Sequence, residues 1–220
     1  MVACSGQEQY QKWLDVDVAG LPGVNKGYLE FFKGATGMKF TYPPILGRSD
    51  LPDRGAMHAA NVHSAGHLLV NNWKGHNRDQ PFWIEEGFGG WTESLVLKSN
   101  SSYCWERSKQ GYGSSFRDVK RWEVDDPDWK NLVKEAAGRN EFLPLDQLDS
   151  LPKGEYTRRE VGQSFSLVAF LLREKGLERW RAYLEQVKGG EKSSVAVRKS
   201  YGQSFEDMEP EWKRFVQSGW

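Results

Sequence analysis

The sequence predicts a mainly α-helical protein of one domain, with at most a small β-sheet near the N-terminus. Three observations predict this class. The chain has 220 residues, which is enough for one compact core. Apolar residues recur at helical spacing in both halves of the chain. Only one short stretch, Met38–Tyr42, has the composition of a strand, and Pro43 and Pro44 end it.

The pattern divides this single domain into four parts: a reduced N-terminal part at 1–55, two metal-site helices at 56–98, an irregular region at 99–162 and C-terminal helices at 163–220. The first central helix is expected from about Gly55 to Trp73. The second begins near Pro81, because proline suits the first turn of a helix. The irregular region has one helical piece, near Trp129 to Ala137.

Glycines mark the ends of the predicted C-terminal helices. Apolar residues at helical spacing begin at Gln163 and stop before Gly176. Two shorter helices are expected at 177–187 and 193–200, and Ser204 is expected to cap a last turn. The C-terminal part therefore adds several helices that can pack against the central pair.

The composition excludes several functional classes. Lys plus Arg and Asp plus Glu are 30 each, so no net charge attracts nucleic acid or an anionic membrane. No apolar run is long enough for a transmembrane helix. The N-terminus has no apolar signal-peptide core, which favours a cytoplasmic protein. The segment Val2-Ala3-Cys4 is similar to the end of a lipoprotein cleavage site, so a chain truncated before Cys4 would be exported or lipid-anchored.

A pair of histidines and a glutamate have the spacing of a zinc site. His63 and His67 lie four apart on the first central helix, and Glu86 follows on the second after eighteen intervening residues. Helix positions four apart differ by about 40° in azimuth, so both imidazoles can reach one point. Catalytic Zn²⁺ takes such nitrogen and oxygen ligands and keeps water as the fourth. The alternative is two ordinary histidines beside an acidic helix end.

The same residues resemble the motif of the gluzincin (peptidase-MA-like) zinc metallopeptidases. That family has His-Glu-x-x-His and, about eighteen residues later, a glutamate in the context Trp-Leu-x-Glu-Gly-x-Ala. This chain has His63-Ser64-Ala65-Gly66-His67 and then Trp83-Ile84-Glu85-Glu86-Gly87-Phe88-Gly89. The resemblance covers about residues 56–217, with a poorly similar part at 99–155. It implies a zincin-like helical domain behind a small sheet whose edge strand holds a peptide substrate.

By this resemblance, His63, His67 and Glu86 are the zinc ligands, but the chain departs from the family at two other positions. Ser64 stands where the family has the glutamate that activates the zinc-bound water. Losing such a general base costs about 10²–10⁴ in rate. Many relatives have, at the position of Gly90, an acidic residue that orients an imidazole, and such a loss weakens metal sites by about 10–100-fold.

Two glutamates could compensate for these departures. Glu93 lies seven residues after Glu86, on nearly the same helical face, and could replace the orienting group or act as a displaced base. A solvated helix residue is the alternative for Glu93. Glu85 lies about 100° from the ligand face and is expected on the surface.

Substrate binding is less well determined by the sequence. About 55 residues precede the first metal helix, so the peptide groove is expected to be reduced or completed by another chain. Tyr156 is the best candidate for the group that stabilises the transition state in this family, and Tyr112 is the second. The segment from Arg121 to Trp129 mixes acids with two tryptophans and could form a sugar-binding platform, although packing and solvated charge are the usual roles of such residues.

Three functions stay open. The favoured one is a zinc-binding protein of metallopeptidase lineage whose peptide hydrolysis is weakened or lost because Ser64 replaces the general base. The second is an active zinc-dependent hydrolase of peptides or of small amides or esters, which uses Glu93, Glu85 or metal hydroxide. The third is a non-catalytic structural or carbohydrate-binding protein.

Overall fold

The structure, a computed structural model, describes residues 8, 12–20, 39–41, 44–46, 54–74, 80–100 and 129–220. The helices of this part are α1 (Arg54–Lys74), α2 (Phe82–Leu97), α3 (Trp129–Gly138), α4 (Leu145–Ser150), α5 (Arg158–Phe170), α6 (Leu177–Lys188), α7 (Ser193–Tyr201) and α8 (Phe205–Gln217). Two π-helical segments, Leu14–Val18 and Leu171–Lys175, and a 3₁₀ turn at Lys153–Glu155 complete them. The predicted mainly α class is confirmed. No helix within the described ranges is long and apolar enough to cross a membrane.

Within the described residues, the sheet consists of two antiparallel strands. Strand β1 (Lys39–Thr41) pairs with β2 (Pro44–Leu46), and Phe40 lies opposite Ile45. The predicted strand is present at 39–41, whereas positions 38 and 42 lie outside the described residues. Pro44, expected to end a strand, instead begins the second one, a position where proline is tolerated because it costs no internal ladder bond.

Glycines on both sides of α2 set its distance from its neighbours. Gly66 of α1 lies against Gly89 of α2, where a Cβ on Gly66 would be 2.9 Å from the Gly89 Cα. On the opposite side of α2, a Cβ on Gly87 would collide with the Ser164 carbonyl oxygen of α5. Larger residues at these positions would push the close-packed helices apart. The glycines therefore hold α2 near the histidine helix.

Helix α5 forms the centre of the hydrophobic core. Every residue from Glu160 to Phe170 is buried, and α2, α3 and α8 pack around this helix. Its N-terminus is fixed by a capping box, in which Thr157 accepts from the backbone and the Glu160 side chain accepts from the Thr157 N–H. The helix behind α2 is thus buried from Glu160 to its end and gives α2 a firm support.

The region from 99 to 162 contains more helix than its sequence pattern predicts. Helix α4 follows Pro144, and α5 begins at Arg158, five residues before Gln163. Helix α4 has only six residues and α5 begins with the polar pair Arg158-Arg159, so apolar periodicity reveals neither start, although the capping residues of α5 are visible in the sequence. The predicted last turn after Ser204 is also longer, because Ser204 caps a helix of 13 residues.

Candidate metal centre

A buried polar cluster lies between α1 and α2. His63 and His67 come from α1, and Glu86 and Glu93 come from α2. The exposed fraction is 0% for His63, Glu86 and Glu93 and 5% for His67. Buried ionisable groups are costly unless they are paired or bind an ion. The contact between these two helices therefore contains a buried group of ionisable side chains that could pair with one another or hold an ion.

Three of these side chains converge. The Nε2 atoms of His63 and His67 are 3.0 Å apart. The Glu86 carboxylate straddles them, with Oε2 3.5 Å from the His63 Nε2 and Oε1 3.6 Å from the His67 Nε2. One ligand atom from each residue lies within 4.8 Å of the others. The buried His63, His67 and Glu86 group could therefore hold a metal ion, as the spacing in the sequence predicts.

The separations of these donor atoms fit a small divalent ion. Ligands bound at about 2.0–2.1 Å at the corners of a tetrahedron lie about 3.3–3.4 Å apart. The two Nε2 atoms are 3.0 Å apart, and they lie 3.5 and 3.6 Å from the two different oxygens of the Glu86 carboxylate. Each imidazole nitrogen is therefore close to this spacing from one oxygen of the carboxylate. A Ca²⁺ site would instead need six to eight oxygen ligands, and two of the three donors here are nitrogens.

The outer edge of each imidazole faces a second carboxylate. The His63 Nδ1 lies 3.3 Å from Oε2 of Glu93, and the His67 Nδ1 lies 4.0 Å from Oε2 of Glu85. The Glu93 side chain is fully buried, whereas that of Glu85 is 27% exposed. Glu85, which the sequence places on the surface, is thus half-buried beside His67. Both carboxylates lie across the rings from the Nε2 atoms that face Glu86.

Gly89 forms the wall against which both imidazoles pack. A Cβ at this position would lie 2.6 Å from the His67 Cδ2 and 2.7 Å from the Nε2 atoms of His63 and His67. These distances are well inside ordinary carbon contacts of about 3.5–4.0 Å. Gly89 is not among the predicted site residues, although its place three residues after Glu86, on the face toward α1, is a usable signal.

A buried hydrogen-bond network anchors the first turn of α2. The Trp83 Nε1 donates to Oδ1 of Asp149 at 2.9 Å, and the Ser193 hydroxyl donates to the same oxygen. The Tyr183 hydroxyl lies 2.7 Å from the Ser193 hydroxyl. Burial raises the pKa of Asp149, and these hydrogen bonds oppose that rise. Because Trp83 precedes Glu86 by three residues, the network fixes the turn from which Glu86 projects.

The remaining predicted site residues lie at different places. Ser64 is buried on α1, with an exposed fraction of 1%. Tyr156 is part of the hydrophobic core, where its hydroxyl donates to the Leu148 carbonyl oxygen at 3.3 Å. Burial raises the pKa of Tyr156, so the phenol stays protonated. Tyr112 and positions 121–128 of the acidic tryptophan segment lie outside the described residues.

Comparisons of this chain with protein-family models, with curated proteins and with solved structures find no match. They assign neither a family nor a fold relative. The functional interpretation therefore depends on the chemistry of the cluster and on the motif residues that form it.

Proposed function

We propose that this protein binds Zn²⁺ through His63, His67 and Glu86 and descends from gluzincin metallopeptidases, with peptide hydrolysis weakened or lost. The observation that carries this proposal is the buried convergence of two imidazole nitrogens and one carboxylate. Two histidines and a glutamate are a known ligand set of catalytic zinc. Imidazole donors favour zinc and related transition metals over Mg²⁺ and Ca²⁺.

The placement of the nearby carboxylates supports the loss of a general base. A base must lie within hydrogen-bond reach of the water that it deprotonates. Glu93 and Glu85 face the Nδ1 edges of the imidazoles, at 3.3 and 4.0 Å, so the rings separate them from the ligand atoms. Neither residue is therefore placed as a displaced base, which weakens the proposal of an active enzyme that uses them.

Metal binding alone would keep some of the chemistry. When bound, Zn²⁺ lowers the pKa of its water toward about 7 and polarises a carbonyl oxygen. The chain supplies the three ligands, and Ser64 stands where a proton acceptor would be needed. A serine hydroxyl cannot take a proton near neutral pH without a base of its own. We therefore expect slow or absent turnover in the parent protein.

A metal-free structural protein has less support. Without an ion, two buried imidazoles and two buried carboxylates make an expensive interface between α1 and α2. An ion that binds only the folded state offsets this cost and stabilises the fold, by about 2.7 kcal/mol when its concentration is 100 times the dissociation constant. The carbohydrate-binding alternative depends on positions 121–128, outside the described residues.

The test combines metal binding with the repair of the base. The purified parent should retain about one equivalent of zinc per chain at micromolar zinc, and His67→Ala should not. Ser64→Glu should gain about 10²–10⁴ in chelator-sensitive hydrolysis of a peptide or ester panel. Ser64→Gln is the matched control, because it has the same size and cannot accept the proton.

Each outcome bears on a separate part of the proposal. A parent that retains no zinc contradicts the metal site. A parent that already cleaves peptides in a chelator-sensitive way contradicts the loss of hydrolysis. If Ser64→Glu folds and binds zinc but gains no turnover over Ser64→Gln, the missing base is not the reason for low activity.

A further inference from the structure

We propose that Glu93 is a positioning residue that orients His63 for metal binding, in place of the acidic residue that is missing at Gly90. This inference rests on the proposed zinc site, because the orientation of His63 matters only if a metal binds there. The contact between Glu93 and His63 is present without a metal. Oε2 of Glu93 lies 3.3 Å from the His63 Nδ1, and both side chains are buried.

The orientation of α2 explains why position 93 has this role and position 90 does not. A Cβ on Gly90 would lie 3.2 Å from the Cβ of Phe165 on α5. Position 90 therefore faces the core helix rather than the histidines. Position 93 follows Glu86 by seven residues, about 20° short of two full turns, so it lies on the face that Glu86 presents to α1.

The contact between Glu93 and His63 selects one tautomer of the imidazole. A neutral histidine that donates its Nδ1–H to a carboxylate keeps the lone pair on Nε2. The His63 Nε2 is the atom that lies 3.5 Å from Glu86. Glu93 therefore leaves the metal-facing nitrogen as an acceptor and holds the ring in place. Loss of such an outer partner typically costs about 10–100-fold in metal affinity.

Glu85 supplies a matched comparison within the same cluster. Its Oε2 lies 4.0 Å from the His67 Nδ1, beyond hydrogen-bond distance, and its side chain is 27% exposed. Water can take over the role of such a carboxylate, so its removal should have a smaller effect than removal of Glu93. The two glutamates are the same residue type and differ in contact and burial, so a comparison of their glutamine variants tests the effect of the buried hydrogen bond.

The experiment compares Glu93→Gln with Glu85→Gln. Zinc affinity is measured by competition with a chromophoric chelator, and the histidine tautomers are measured by ¹⁵N NMR in the metal-free proteins. We expect Glu93→Gln to weaken zinc binding about 10–100-fold and to reduce the Nδ1–H population of His63. Glu85→Gln should weaken binding about threefold or less. Equal affinities and an unchanged His63 tautomer in a folded Glu93→Gln protein would overturn the proposal.

If Glu93→Gln does not fold, a measurement on the parent protein alone still tests the proposal. In that case the tautomer of His63 in the metal-free parent decides: an Nδ1–H form supports the role of Glu93, and an Nε2–H form rejects it. The same NMR measurement distinguishes a failure of the proposed zinc site from a failure of the positioning contact. A parent without zinc affinity whose His63 is an Nδ1–H tautomer would reject the proposed function and retain the positioning contact.

Discussion

Replacing Gly89 with alanine, the residue that the gluzincin motif has at this position, should disrupt the metal site of this chain although it adds only one methyl group, because both imidazoles pack directly against Gly89. The added Cβ would lie 2.6 Å from the His67 Cδ2 and 2.7 Å from both Nε2 atoms. Ordinary carbon contacts begin near 3.5 Å, so each imidazole would have to retreat by about 0.8–0.9 Å. Metal–ligand distances tolerate only about ±0.2 Å. The retreat is therefore several times larger than the site can absorb.

The same substitution should have a much smaller effect on the stability of the metal-free protein. Alanine is favoured over glycine in a helix interior by about 1 kcal/mol, whereas overpacking costs about 1–3 kcal/mol. We expect the free energy of unfolding of Gly89→Ala, measured in urea with a chelator present, to fall by no more than about 2 kcal/mol. Zinc affinity, measured by chelator competition, should fall by more than about 100-fold, beyond the usual cost of losing an outer partner.

Gly138→Ala is the control for a glycine with free space around it. Gly138 ends α3, and a Cβ there would meet no atom within 4 Å. Its zinc affinity should equal that of the parent. A folded Gly89→Ala protein that binds zinc as tightly as the parent would refute the reasoning, because the imidazoles could not then lie against Gly89.

Two further predictions concern the support of the site. Burial raises the pKa of Asp149, so its contribution to stability is greatest below the unfolded pKa of about 3.9 and is lost as the pH rises through the folded pKa. Asp149→Asn keeps an oxygen for Ser193 and should gain stability relative to the parent between about pH 4 and pH 7 in urea unfolding; a pH-independent difference would contradict this. Ser204→Ala removes the cap that accepts from the Asp207 N–H. It should lower the free energy of unfolding by about 1 kcal/mol, and an unchanged urea midpoint would show that the cap contributes nothing.

Helix periodicity and capping residues made much of the fold predictable. The first central helix was expected from about Gly55 to Trp73 and spans Arg54–Lys74. The stop at Gly176 is correct because this glycine has the positive φ that such ends require, and Gly202, which follows α7, has one as well. Helix α4 was not predicted, because its six residues are too few to show an apolar period.

The candidate ligands were also visible in the sequence, whereas their surroundings were not. The spacing of His63 and His67 and the motif around Glu86 identify residues that converge in the structure. The helical wheel left open whether Glu93 faces solvent or His63, since that depends on how α2 is rotated against α1. It placed Glu85 on the surface, whereas a residue about 100° from the ligand face can still lie half-buried beside a buried imidazole.

The glycine contacts of α2 affect how mutational data on this protein should be interpreted. Gly66, Gly87 and Gly89 each leave no room for a side chain, whether or not the protein has an enzymatic activity. A saturation library scored only for folded yield would thus show Gly66 and Gly87, which face backbone atoms, to be less tolerant than Gly89, which faces the ends of two imidazoles. Intolerance at Gly66 and Gly87 would reflect steric exclusion by backbone, and only a screen for retained zinc would reveal the role of Gly89.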